Sequence, residues 1–134
     1  CINLMNELID KNYSVMLETS GSLKLDKVPK KVIKIVDFKC PSSNMSHKND
    51  WTILSDIDNK DEIKFVIGTK EDYSWSRKMI QKHNLNNICQ ILFSPVYKKM
   101  AIKDLSKWIL KDGANVRLQS QLHKDIWGEN TTGV

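Results

Sequence analysis

The sequence predicts an α/β fold built from parallel βαβ units, on three observations. Short runs rich in Val, Ile and Phe alternate with longer stretches whose apolar residues recur at helical spacing. Gly, Pro and Ser punctuate the junctions between them. The ends of the strand-like runs are unusually polar, and in parallel α/β folds chemistry collects at strand ends.

The elements follow in order. Ile2, Met5, Leu8 and Ile9 sit at helical spacing, so residues 1–11 read as an amphipathic helix. Residues 13–17 form a short strand that runs into the turn-forming stretch Glu18-Thr19-Ser20-Gly21. Residues 32–38 form a β-rich run that ends at Lys39-Cys40-Pro41-Ser42-Ser43, where Pro41 and the serines stop it. Residues 44–60 are polar and form a long loop with a short helix over 51–57. The next strand spans 62–67 and ends at Gly68. Thr69 caps a helix over 70–84, with Asp72 three residues on completing a capping-box pair. Residues 88–93 form a further strand, closed by Ser94-Pro95. Ile102, Leu105, Trp108 and Ile109 mark another helix, which Gly113 ends. The last strand is expected over 116–122.

Composition bounds the function. The chain has 134 residues, 40% hydrophobic and 28% charged, the makeup of one soluble globular domain. It holds no run of about 18 apolar residues and no signal peptide, so neither membrane insertion nor secretion is expected. It begins with Cys1 inside a helix rather than with Met, which leads to the expectation of a truncated chain. The net charge is +5, yet lysines and acidic residues are interspersed, so a solvated lysine-rich surface is favoured over direct nucleic-acid binding. Cys1, Cys40 and Cys89 are far apart and form no C-x-x-C. That argues against a zinc site or disulfide framework, fits a reducing cytoplasm, and has the wrong spacing for cluster ligands.

Residue by residue the chemistry stays open. Lys39 and Lys64 either snorkel to water or hold a carboxylate or phosphate. Glu18 either faces solvent or accepts hydrogen bonds from an amino-pyrimidine ring. On the last expected strand Arg117, Gln119, Gln121 and His123 share one face, which either meets water or lines a polar cavity. His123 could move a proton near neutral pH or be structural. No nucleophile–base pair, H-E-x-x-H, phosphate-binding or dinucleotide-binding glycine motif occurs, and no catalytic residue is assigned.

Several strings together carry a resemblance. Leu17-Glu18-Thr19-Ser20-Gly21 resembles the E-T-[NS]-G segment of 7-carboxy-7-deazaguanine synthases, and Val36-Asp37-Phe38-Lys39-Cys40-Pro41-Ser42-Ser43 their D-x-K-x-P-[GS]-S segment. Residues 61–67, Leu92-Phe93-Ser94-Pro95-Val96, Trp108-Ile109-Leu110, residues 117–128 and the ending Gly133-Val134 are similar to further segments in the same order. The resemblance implies a partial (β/α) barrel of the radical S-adenosylmethionine type, usually homodimeric. A 4Fe-4S cluster, S-adenosyl-L-methionine and Mg2+ would serve a carbon–nitrogen lyase reaction. That reaction contracts 6-carboxy-5,6,7,8-tetrahydropterin to 7-carboxy-7-deazaguanine with loss of ammonia, for queuosine in tRNA and other deazapurines.

By that resemblance Lys39, Cys40 and Pro41, and likewise Ser94, Pro95, Val96 and Tyr97, fall on segments that contact S-adenosylmethionine. Cys40 fills its slot without a catalytic role. Glu18, Thr19, Gln121 and His123 fall on the pterin side, and the terminal carboxylate of Val134 is expected to fold back into the same pocket. Glu18, Lys39, Ser94, Gln121 and His123 are expected to converge on one concave site. The family's cluster cysteines, its G-G-E-P stretch and its magnesium-binding Thr belong upstream of residue 1. Residues 1–134 are therefore read as a single domain, the C-terminal portion of such a barrel, inactive alone. The rivals are a non-enzymatic pterin- or nucleoside-binding module and a basic nucleic-acid-binding protein.

Overall fold

The computed structural model describes residues 1–128, and the side chains of all of these except His123 and Asp125. Along the chain lie α1 (Ile2–Asp10), β1 (Met16–Ser20), β2 (Ile33–Phe38), β3 (Glu62–Ile67), α2 (Lys70–Lys82), β4 (Gln90–Pro95), α3 (Ile102–Asp112), β5 (Arg117–Leu118) and α4 (Leu122–Trp127). The five strands form one sheet in the order β1-β2-β3-β4-β5, every neighbouring pair parallel. The order follows the chain without the reversal that defines a doubly wound sheet.

Right-handed crossovers between strands in sequential order place the connections on one face of a sheet, and the side chains divide accordingly. Val36 and Phe38 of β2, Ile63, Phe65 and Ile67 of β3, and Ile91 and Phe93 of β4 join Tyr73 and Ile80 of α2 and Leu105 of α3 in one buried cluster. The alternate residues point to the opposite face. There the register sets Asp37 beside Lys64, Lys64 beside Leu92, and Leu92 beside Arg117. One face is thus an apolar, helix-covered core and the other a row of mixed charge.

Two connections lack an α-helix. Between β2 and β3 the chain makes three short 3-10 turns, the last at Trp51–Asp56, where a short helix was expected; the Asp50 carboxylate caps it by accepting from Thr52 N–H. Trp51 fills the space an α-helix would occupy. Its ring lies between Phe38, at 4.3 Å and 13°, and His83, at 4.2 Å and 7°.

Several boundaries differ from expectation. β1 runs on through Glu18, Thr19 and Ser20 because these residues pair with Ile35, Val36 and Asp37, and ladder pairing overrides their turn-forming composition. β4 begins at Gln90, since Ile88 closes a 3-10 turn over Leu85–Asn87. The largest correction concerns the last strand. β5 spans only Arg117–Leu118, and His123 lies in the first turn of helix α4 rather than at a strand end. The Gln119 N–H still donates to the Phe93 carbonyl at 2.9 Å. The next rung of a parallel ladder would require the N–H of Pro95, which proline lacks, so pairing stops there.

At the opposite end of the sheet a buried ion pair escaped sequence reading. Lys34 Nζ lies 2.9 Å from Asp61 Oδ2, with the side chains 5% and 0% exposed. Asp61 also accepts from the backbone N–H groups of Lys34 and Asp58, tying the start of β2 to the turn before β3. Among the described residues no helix is long and apolar enough to cross a membrane.

Candidate functional site

Because all strands are parallel, their C-terminal ends share one edge of the sheet, and the segments leaving those ends line it.

The segment after β2 is the most tightly held. Asn49 pairs its carboxamide with both backbone groups of Lys39: Lys39 N–H donates to Asn49 Oδ1 and Asn49 Nδ2 donates to the Lys39 carbonyl, each at 2.9 Å. The Lys39 ammonium is half exposed, 2.7 Å from Asp37 Oδ2. The other Asp37 oxygen, Oδ1, is buried with no hydrogen-bond partner. Cys40 turns its thiol into the core, 3.4 Å from Ser76 Oγ, and burial pushes its pKa up to about 12. The thiol is therefore neutral and only the Cys40 backbone stands at the edge. Pro41 opens a 3-10 turn, and Ser43 Oγ donates to the Cys40 carbonyl at 2.6 Å. Ser42, between Pro41 and Ser43, donates both its N–H and its hydroxyl to Asp72 of α2.

On the mixed-charge face, Lys64 Nζ reaches over β2 to Glu18 Oε1 at 2.6 Å, and Arg117 Nη2 reaches over β4 to Glu62 Oε1 at 2.8 Å. Thr19 pairs in register with the buried Val36, so its side chain turns to the helix-covered face, away from Glu18.

β4 ends with buried Ser94 and with Pro95, and the segment that leaves it begins at Val96. Val96 N–H donates to the Ile67 carbonyl at 2.8 Å, which seats this segment against the end of β3. The Tyr97 ring has Lys98 Nζ 5.4 Å and Lys124 Nζ 5.9 Å from its centroid. A cavity of ≈ 460 Å³ opens here, lined in part by Pro95, Tyr97, Lys98, Ser120 and Gln121. Gln121 Oε1 is buried and has no partner among the described residues. A smaller cavity of ≈ 130 Å³ lies at the other end of the edge, lined in part by Ser20, Gly21, Lys39, Met45 and Asn49.

The expected site residues are thus divided. Lys39 lines the smaller cavity, Pro95, Tyr97 and Gln121 line the larger, and Glu18 sits on the open face. The His123 side chain and Val134 lie outside the described residues. Sequence reading missed Asn49 and the second duty of Asp72. Asp72 was legible as a helix cap, but its bonds to Ser42 span 30 positions and leave no local pattern. Among the described residues no three His, Cys, Asp or Glu side chains converge as metal ligands, so those residues do not supply the cysteine set of an iron–sulfur cluster.

Fold and edge together define a parallel-sheet α/β protein of the kind whose chemistry lies at the strand ends. No family model matches the chain. Curated relatives do. The chain is 38% identical over 146 aligned positions to the 7-carboxy-7-deazaguanine synthase of Koribacter versatilis (strain Ellin345), covering 99% of this chain and 65% of that protein. It is 36% identical over 134 positions to the synthase of the same name from Chlorobaculum tepidum, covering 98% of this chain and 61% of that one. With the Methanospirillum hungatei synthase the identity is 33%, over 92% of this chain and 50% of that protein. The chain is related to the 7-carboxy-7-deazaguanine synthase family over nearly its whole length, and it spans 50–65% of the length of these three relatives.

Proposed function

We propose that the chain forms the C-terminal, cofactor- and substrate-binding part of a 7-carboxy-7-deazaguanine synthase. In this reading its sheet is one wall of a partial (β/α) barrel, and its charged face is the inner surface. The whole protein, a cytoplasmic homodimer, is a carbon–nitrogen lyase. It contracts 6-carboxy-5,6,7,8-tetrahydropterin to 7-carboxy-7-deazaguanine with loss of ammonia and does not bind nucleic acid directly. The observation that carries the reading is kinship along 98–99% of the chain to proteins bearing that name. The sequential parallel order and the division into a helix-covered and a charged face support the barrel.

S-adenosylmethionine, bound together with a cluster and magnesium, supplies radical chemistry in this reading. The described residues suit the S-adenosylmethionine molecule: Asp37 Oδ1 is a buried acceptor with no donor among the described residues, and the half-exposed Lys39 ammonium stands beside it. A zwitterion with ammonium and hydroxyl donors matches such a set. Lys39 attracts a carboxylate, the backbone of Cys40 and Pro41 walls the same segment, and the segment from Ser94 to Tyr97 walls the other side. Glu18, held by Lys64, accepts from the amino group and ring N–H of the pterin. Gln121 offers a further acceptor to that ring. The resemblance assigns His123 to the same substrate.

The test is turnover by the intact protein after anaerobic loading with iron, sulfide, magnesium and S-adenosylmethionine. Mass-detected 7-carboxy-7-deazaguanine from the carboxytetrahydropterin is the expected product. A loaded protein that binds both molecules and forms none would overturn the reading. Residues 1–134 alone are expected to form neither this product nor 5′-deoxyadenosine.

A further inference from the structure

Asp72 is fully buried, and its carboxylate accepts four hydrogen bonds. Oδ1 takes Ser42 N–H at 2.9 Å; Oδ2 takes the Ser42 hydroxyl at 2.5 Å, Gly68 N–H at 2.9 Å and Thr69 N–H at 3.2 Å. Two of these donors belong to the turn between β3 and α2. The other two belong to the segment leaving β2. A helix cap needs only the first pair; the second is 30 positions away in sequence and serves no helix.

The same point meets the segment leaving β4. A Cβ on Gly68 would lie 3.2 Å from Ser42 Oγ, 3.2 Å from Val96 Cγ2 and 3.3 Å from Asp72 Oδ2. Only a residue without a side chain lets these groups close to that distance undisturbed. The two segments read as cofactor-binding, 39–41 and 94–97, therefore abut through Gly68, and Asp72 ties the first of them down. Asn49 holds the upstream end of that segment through Lys39, so Asp72 is its downstream anchor.

We infer that Asp72 is a positioning residue for S-adenosylmethionine, acting through Ser42 to set the place of the Lys39–Pro41 segment relative to the Ser94–Tyr97 segment. The inference rests on the cofactor assignment made above. It predicts a loss confined to one ligand, because Glu18 and Lys64 on the open face make no contact with Asp72's partners. Displacing a preorganised binding segment weakens its ligand by roughly tenfold to a hundredfold.

The experiment compares four variants of the intact, cluster-loaded protein by calorimetric titration of S-adenosylmethionine, separate titration of carboxytetrahydropterin, and thermal melting. Ser42→Ala removes the hydroxyl bond and leaves the contacts of Asp72 to Gly68 and Thr69. Asp72→Asn converts one acceptor to a donor and disturbs both pairs. Thr69→Ala removes the reciprocal cap bond to Asp72 N–H and touches nothing on the β2 segment. Lys39→Ala reports on the cofactor assignment itself. The expected result is weaker S-adenosylmethionine binding in Ser42→Ala and Asp72→Asn, by about tenfold or more, with pterin affinity unchanged. Thr69→Ala should lower the melting temperature and leave both affinities alone. Affinity loss that simply follows melting temperature across the variants overturns the inference, as does unchanged binding in Ser42→Ala. If Lys39→Ala binds S-adenosylmethionine as the unaltered protein does, the cofactor assignment falls, and this inference falls with it.

Discussion

Lys64 Nζ lies 2.6 Å from Glu18 Oε1 although the two residues belong to strands separated by β2, so the ion pair crosses the open face of the sheet. Glu18 is 59% exposed and Lys64 17% exposed, which places the pair mostly in solvent on the carboxylate side. A bridge of this kind contributes about 0–1 kcal/mol to stability. Its consequence is orientation: one oxygen of Glu18 is held by the ammonium, and in the proposed function the other meets the pterin. Lys64→Met is expected to change folding stability by less than about 1 kcal/mol while weakening carboxytetrahydropterin binding severalfold. Urea unfolding and pterin titration on the same samples check this. A large stability loss, or unchanged pterin affinity, would remove Lys64 from the site.

The Lys34–Asp61 pair behaves in the opposite way, because both partners are buried. Asp61→Ala leaves the Lys34 ammonium buried and two backbone N–H groups without acceptors, a loss of roughly 3–5 kcal/mol. Replacing both partners by apolar residues should recover part of it, since the uncompensated charge is gone; the orphaned N–H groups prevent full recovery. Equilibrium denaturation of the single and double variants measures the difference. Equal stability of the two would show that the buried charge carries none of the loss.

Burial raises the thiols of Cys40 and Cys89 to about 12, while Cys1 is exposed. At pH 8 both buried thiols stay protonated and unreactive. Brief alkylation of the native protein followed by peptide mapping is expected to label Cys1 and to spare the other two. Cys40→Ala should retain S-adenosylmethionine binding, because only its backbone faces the edge. Rapid labelling of Cys40 would contradict the buried placement of its thiol.

His83 stacks on Trp51, and its Nε2 is buried without a partner. Burial, and then the neighbouring Lys82, hold its pKa below the ordinary 6.5. The unfolded chain protonates this histidine at a higher pH than the folded one does. The associated stability is therefore present above pH 6.5 and is lost as pH falls toward the depressed folded value. Urea midpoints measured between pH 7.5 and pH 5 should decline, and His83→Gln should flatten that part of the decline. An identical pH profile in the variant would exclude His83 as a source.

Helix α2 was legible because its signals are local. Thr69 and Asp72 stand three residues apart and form the capping box the pattern implies. The same holds for α3, which Gly113 closes at φ +56°. Strands β2 and β3 were legible as β-rich runs closed by Pro41 and Gly68, and the parallel α/β class followed from the alternation of elements. The resemblance to 7-carboxy-7-deazaguanine synthases was legible too, in short strings kept in order along the chain.

The features that define the edge depend on residues distant in sequence. Glu18 and Lys64 are 46 positions apart, and Asp72 reaches Ser42 across 30. β5 shows the reason most clearly. Its own residues alternate apolar and polar out to Leu122, and nothing within that run stops a strand. The stop is Pro95, a residue of β4, whose missing N–H removes the next ladder rung to Gln119 only when register brings the two together. Helix signals act within a turn of the chain and survive in its letters. A parallel ladder joins segments through a crossover, so its limits are set by a partner strand that only folding brings alongside.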